Sequence, residues 1–206
     1  MSLFDANAKK RIEAAIAALE TRTAAEVVVA VVPNSGRPWM ARSLVALGCG
    51  LVAGWLLRVG MPLADPRAAP IVELVVMLGA FELFGLHALE RLLIPRRLAE
   101  QEVRAHAFAI FGRRGLYRTR GRTGVLILLS ELERRAVILG DEGIHGRIGD
   151  GGWQEHIDRI VSGIREGRAA DGVVDVLGRL GEVLAEIAPP VGVNDDELPN
   201  TVLDET

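Results

Sequence analysis

Glu26, Asp141, Glu142 and Asp150 are the carboxylates best placed for chemistry in this chain, with His145 and Trp153 as further candidates. Several carboxylates on one rim suit a hard cation such as calcium, which takes about 6–8 oxygen ligands. Gly140, Gly143, Gly146, Gly149, Gly151 and Gly152 run among them and let backbone carbonyls approach a ligand. His145 beside a carboxylate makes a general acid–base pair. A purely structural account uses the same residues: Asp150 as a helix N-cap, the glycines as turn formers, and His145 solvated on a loop. No phosphate-binding Gly-rich loop with Lys, no Gly-x-Ser-x-Gly elbow and no His-Glu-x-x-His helix is present. The one cysteine, Cys49, excludes a disulfide framework within the chain and a Cys/His metal signature.

The elements that must position these residues follow from periodicity. Ile12, Ile16 and Leu19 recur at helical spacing between Asp5 and Thr21, and the valine run Glu26–Val32 before Pro33 predicts a strand covered on both faces. Val103, Ala107, Ile110 and Phe111 mark a helix after Pro95, and Val125–Leu129 a second strand. Arg135–Leu139 forms a third strand, antiparallel to the second across a short charged turn at Glu131–Glu133, which is expected to be a solvated tip. Trp153, Ile157, Ile160, Val161 and Ile164 predict one helix, and Val173 to Ile187 another, stopped by Pro189 and Pro190. The first and second strands then run parallel, and the third returns to the end where the first begins. That topology gathers Glu26, Asp141, Glu142, His145 and Asp150 on one acidic rim. The five arginines between Arg113 and Arg122 suit anionic headgroups or phosphate, or form a solvated basic loop.

Ser43–Leu89 is the most apolar stretch and reads as two membrane-spanning helices joined by GMPLADPRAAP, whose prolines stop one helix and start the next. A span needs about 17–25 apolar residues for a hydrocarbon core of about 30 Å. The alternative is a helical hairpin buried in a soluble domain. Glu82 is the membrane charge that needs a partner, whether the facing helix, another copy of the chain or a proton, because an acidic residue at mid-span costs about 2.5–3.5 kcal/mol. Arginines flank the hairpin at 22, 37, 42, 91, 96, 97 and 104, which places both flanks and the soluble domain in the cytoplasm. The expected division is 1–40 with 95–190 as one discontinuous domain, 41–94 as a multi-pass hairpin, and 191–206 as an acidic flexible tail. A net charge of −3 and 4% aromatic content argue against nucleic acid. The implied partners are the lipid bilayer, an unknown membrane protein, and a second copy of the chain through the hairpin.

The stretches TAAEVVVAVV, RTGVLILLSELERRAVILGDEGIHGRIGDGGW and IVSGIREGRAADGVVDVLGRLGEVLAEIAP resemble, in order and spacing, the TPM-domain family. The turn carried by Arg165, Glu166, Gly167, Ala170 and Gly172 is part of that likeness. The resemblance implies an α/β fold, a three-layer α/β/α sandwich with a small mixed sheet, sometimes with bound calcium. It also implies either weak metal-dependent acid phosphatase activity or an accessory role beside membrane complexes. The chain departs from the family pattern in its inserted hairpin and in a charge bias that places the domain in the cytoplasm. The function expected is a membrane-anchored binding module, with phosphatase or a small transport-complex subunit as alternatives.

Overall fold

The computed structural model describes residues 3–36, 38–60, 68–86, 89, 94–190 and 198–204. The interhelical loop with Asp65 and Arg67, together with Arg37, His87, Arg91 and 191–197, lies outside them, as do the side chains of Pro38, Arg120 and Asp150. The chain divides into two compact units, Met1–Ser35 with Glu100–Thr206, and Gly36–Ala99.

Seven successive buried residues, Glu26–Val32, make β1. Val27, Val29 and Val31 enter a core with α1 (Ala6–Glu20), α5 (Glu142–Arg165) and α6 (Ala169–Ile187). Val28, Ala30 and Val32 enter a second core with Val103, Ala107 and Ile110 of α4 (Arg96–Arg113). A strand buried on both faces favours β-branched apolar residues, and five of the seven here are valine. Its parallel partner β2 (Gly124–Ser130) pairs from Glu26 with Gly124 to Val32 with Ser130. β3 (Arg135–Gly140) pairs antiparallel with β2, from Val125 with Gly140 to Ser130 with Arg135. The result is a mixed α/β unit whose four-stranded sheet has the order β3-β2-β1-β4.

The fourth strand falls where the sequence predicts only a tail. Leu203–Asp204 forms β4, parallel to β1 at Ala30 and Val31. Val202 is buried, its N–H donates to Glu13 Oε1 at 3.3 Å, and Lys9 pairs with Asp204. The physical reason is the free edge of β1: a buried strand favours paired backbone on both sides, and the tail supplies a short ladder at Ala30 and Val31.

A second difference concerns α5. It begins at Glu142 rather than Trp153, so Glu142 and His145 lie on a helix and not on a loop. Asp141 caps it, accepting the Glu142 N–H on Oδ1 at 2.8 Å. The helical run breaks at Gly149, whose φ of 69° and ψ of 169° suit glycine. The glycines in 143–152 mask the helical period that buried Ile144 and partly buried Ile148 otherwise show.

The second unit is an antiparallel pair, α2 (Pro38–Gly60) against α3 (Ala68–Leu83). Trp39–Gly60 is long and apolar enough to cross a membrane. The second helix is expected over Ile71–Leu89 but ends at Leu83, followed by a turn through Phe84–Leu86. Glu82 therefore stands in the last turn of α3, exposed on this unit, rather than in mid-helix. The carboxylate that finds a partner is Glu73, paired with Arg58 at 2.7 Å. Ala46, Gly50 and Gly54, every fourth residue of α2, form the contact stripe. A Cβ at Gly50 would stand 3.0 Å from Glu73 O, and one at Gly54 would collide with the Glu73 carboxylate. At the other end Arg42 donates to Phe81 O at 3.2 Å and stacks over the Phe81 ring at 4.2 Å. Gly54→Val is expected to expel Glu73 from Arg58 and to lower hairpin stability in detergent by about 1–3 kcal/mol, as overpacking does. Gly48, where a Cβ meets nothing within 4 Å, is the control, and Gly48→Val should be near neutral in the same denaturation.

Candidate functional site

Glu26 and Asp141 do reach the same end of the sheet. Glu26 pairs with Gly124, and the Asp141 N–H donates to Gly124 O at 2.8 Å, so the two flank the first residue of β2. Gly124 itself accounts for what lies over that residue. The Leu116 carbonyl packs where a Cβ at Gly124 would stand.

Both carboxylates are committed to local structure. Glu26 is buried, and its Oε2 accepts the Leu198 N–H at 3.3 Å, tying down the tail. Asp141 is buried, caps α5 and pairs through Oδ2 with Arg122 Nε at 2.9 Å. Arg122 holds a left-handed backbone, φ 58°, a conformation in which a non-glycine residue is uncommon, directly before Thr123 and β2. Glu142 is exposed, with its carboxylate 3.7 Å from the same guanidinium. The backbone of Asp150 follows the break at Gly149. Among the described residues, no three of His, Cys, Asp and Glu are grouped to hold a metal ion.

His145 and Trp153 belong to a different feature. They line a groove of about 800 Å³ that runs along β3, the edge strand of the sheet. One wall is α4, with Phe108 and Phe111, and the other is α5, with Trp153 and Ile157. Arg104, Arg122 and Arg135 stand along it, the last paired with Glu100 at 2.7 Å. Trp153 packs under Gly140, and among the described residues its buried Nε1–H has no acceptor. Sequence reasoning names Trp153 and His145 but not the groove, since Phe108, Tyr117 and Arg104 join it only through the fold.

The charged turn after β2 also differs from its expected solvated tip. Glu133 is buried, accepts the Ser35 N–H at 3.1 Å and takes the hydroxyl hydrogen bond of buried Ser130. Ser130 Oγ lies 2.9 Å from Ser35 Oγ. Arg134 turns the chain with φ 49°, which swings Glu133 inward. Burial first, and the charge of Glu133 second, raise the Glu102 carboxyl above its ordinary value.

Residues 91–183 match the TPM domain. The TPM match covers β2, β3, α5 and most of α6, and leaves α1 and β1 outside it. The NMR structure of the BA42 protein from the psychrophilic bacterium Bizionia argentinensis sp. nov. superposes with a TM-score of 0.62 over 98% of this chain and 95% of that one. At 21% identity it shows the fold alone. No curated protein matches the chain.

Two measurements check these assignments. Asp141→Ala removes the cap and the ion pair and should cost about 0.5–2 kcal/mol in urea denaturation, whereas Asp141→Asn keeps the cap acceptor and should cost less. Glu102→Gln tests the raised carboxyl. A carboxyl with a higher pKa in the folded state binds its proton more tightly there, so its contribution to stability grows as pH falls through the raised value and is lost as pH rises. The Gln variant should therefore be slightly more stable than its parent near pH 7, with the difference gone below about pH 4.

Proposed function

We propose that this chain is a membrane-anchored TPM-type domain that works as a binding or accessory module for a membrane process. The observation that carries the reading is the placement of exposed apolar side chains. Among the described residues, every exposed large hydrophobic residue except Phe108, Tyr117 and Val183 falls between Trp39 and Leu98. Trp39, Leu44, Leu51, Trp55, Ile71 and Val75 are each more than half exposed. Each such side chain left in water forgoes about 1.5–3 kcal/mol of burial. A bilayer removes that penalty along the whole hairpin at once.

The hairpin also manages its charges in a way that suits lipid. Arg42 and Arg58 lie 16 residues apart on α2, about 24 Å along a helix. Their long side chains then sit near opposite interfaces, where arginine snorkels, and Arg58 carries Glu73 with it. The arginine bias of the flanks supports two spans with both ends cytoplasmic. The acidic rim does not favour turnover, because a reaction there would first have to displace Arg122 from Asp141 and Leu198 from Glu26.

The test is extraction and labelling of the full chain in membranes. The protein should remain in the pellet after alkaline carbonate. In a Cys49→Ser background, Asp65→Cys should react with an impermeant maleimide from outside, and Glu155→Cys only after permeabilisation. Release by carbonate would overturn the anchor, and the opposite labelling pattern would overturn the orientation.

A further inference from the structure

The two edges of the sheet are finished differently. β4 closes the outer side of β1, while β3 has no strand beyond it among the described residues. The antiparallel register tells which backbone groups remain free. Because the Asp141 N–H donates to Gly124 O, residues 139, 137 and 135 also aim their N–H and C=O at β2. Ala136, Ile138 and Gly140 aim theirs outward, into the groove. We propose that the groove takes an extended, acidic peptide segment of a partner protein as a fifth strand on β3. This proposal rests on the binding-module reading and names the partner's chemistry.

Three features of the groove select that occupant. Three outward residues present a ladder for about five residues of strand, about 17 Å long. Successive side chains of an added strand point to opposite faces, and the walls offer an apolar surface on each: Phe108 on α4, and Trp153 with Ile157 on α5. Phe108 and Tyr117, both in the groove, are two of the three exposed large hydrophobics outside the second unit among the described residues. Charge gives the third. Arg135 is paired with Glu100 and Arg122 with Asp141, whereas Arg104 stacks toward Phe108, with its guanidinium carbon 5.8 Å from the ring centroid. Among the described residues it has no carboxylate, which leaves the groove with an excess positive charge. A second copy of the chain fits less well. With β3 as the floor between α4 and α5, two such edges would have to approach to about 4.8 Å through their own walls.

The experiment uses the full chain in lipid nanodiscs and two end-blocked heptapeptides of alternating valine and threonine, one with a central glutamate and one with a central lysine. Hydrogen exchange is read at the β3 amides. In the free protein Ala136, Ile138 and Gly140 should exchange fast and Val137 and Leu139 slowly. The glutamate peptide should bind saturably and protect the first three, with the lysine peptide about fivefold weaker. Arg104→Glu should reverse that order. Ala136→Pro, which deletes an outward N–H on an edge strand, should abolish binding. No saturable binding by either peptide, or binding that leaves the three amides fast, would overturn the proposal. So would protection that rises with protein concentration in the absence of peptide, which would make a second copy the occupant. Carbonate extraction responds to none of these variants, so the failure of the groove and the failure of the anchor are separately visible.

Discussion

The burial of β1 on all four sides is the constraint from which the first unit follows. Seven residues in a row lose contact with water, so both faces need helices and both edges need strands. Valine at five of the seven positions makes this possible, since β-branched side chains fit a pleated surface and carry no polar group to satisfy. The faces are met by α1, α5 and α6 on one side and α4 on the other. One edge is met by β2, fixed in register over the whole strand. The other is met by the tail, tied at Leu198, Val202 and Asp204. Glu26, the only charged residue of β1, is tolerated because it stands at the strand's start and its carboxylate accepts from the tail.

The same economy of polar groups explains why the acidic rim is not an open cluster. A buried carboxylate requires donors or a counter-charge, and the chain provides them: the Glu142 N–H and Arg122 for Asp141, and the Leu198 N–H for Glu26. The Leu116 carbonyl, seated over Gly124, fills space between the two strand ends. At the other end of β2, Ser130, Ser35 and Glu133 satisfy one another in the same way. Both ends of the sheet are thus closed by short-range polar contacts, and the open surface lies along the β3 edge.

How much of this was legible in the sequence depends on the range of the cause. β1, β2 and β3 could be read because each is a short apolar run, and the stripe Val173, Val176, Leu177, Leu180 and Leu184 because its period is helical and its members are buried together. The parallel and antiparallel pairings followed from connection length. β4 could not be read. Leu203 and Asp204 carry no strand signal of their own and become a strand only because the β1 edge is vacant. Glu133 looked like a solvated tip because composition does not reveal that Arg134 adopts φ 49°. The helical turn at Glu142–Ile148 was hidden by its glycines, and its cause, the Asp141 cap, is a one-residue signal. Glu82 drew attention as a mid-span charge on the assumption that the helix runs to Leu89. Glu73 finds its partner in Arg58 because pairing across the two helices depends on register and not on either sequence alone. The groove combines α4, β3 and α5, so no single stretch announces it.

The position of the hairpin in the chain has its own logic. Parallel strands such as β1 and β2 cannot be joined by a tight turn and need a crossover of a dozen residues or more. That crossover must be long, so added residues there need not break the register of adjacent strands. The insertion must still return the chain close to where it left. An antiparallel pair of helices does this by construction, and Arg42 gripping Phe81 O and the Phe81 ring holds its two helices together. The loop-closure entropy that a long insertion imposes grows only slowly with length. A pair of antiparallel helices is thus a tolerable addition between β1 and β2. Within β2–β3 the same insertion would have separated strands whose register depends on a four-residue turn.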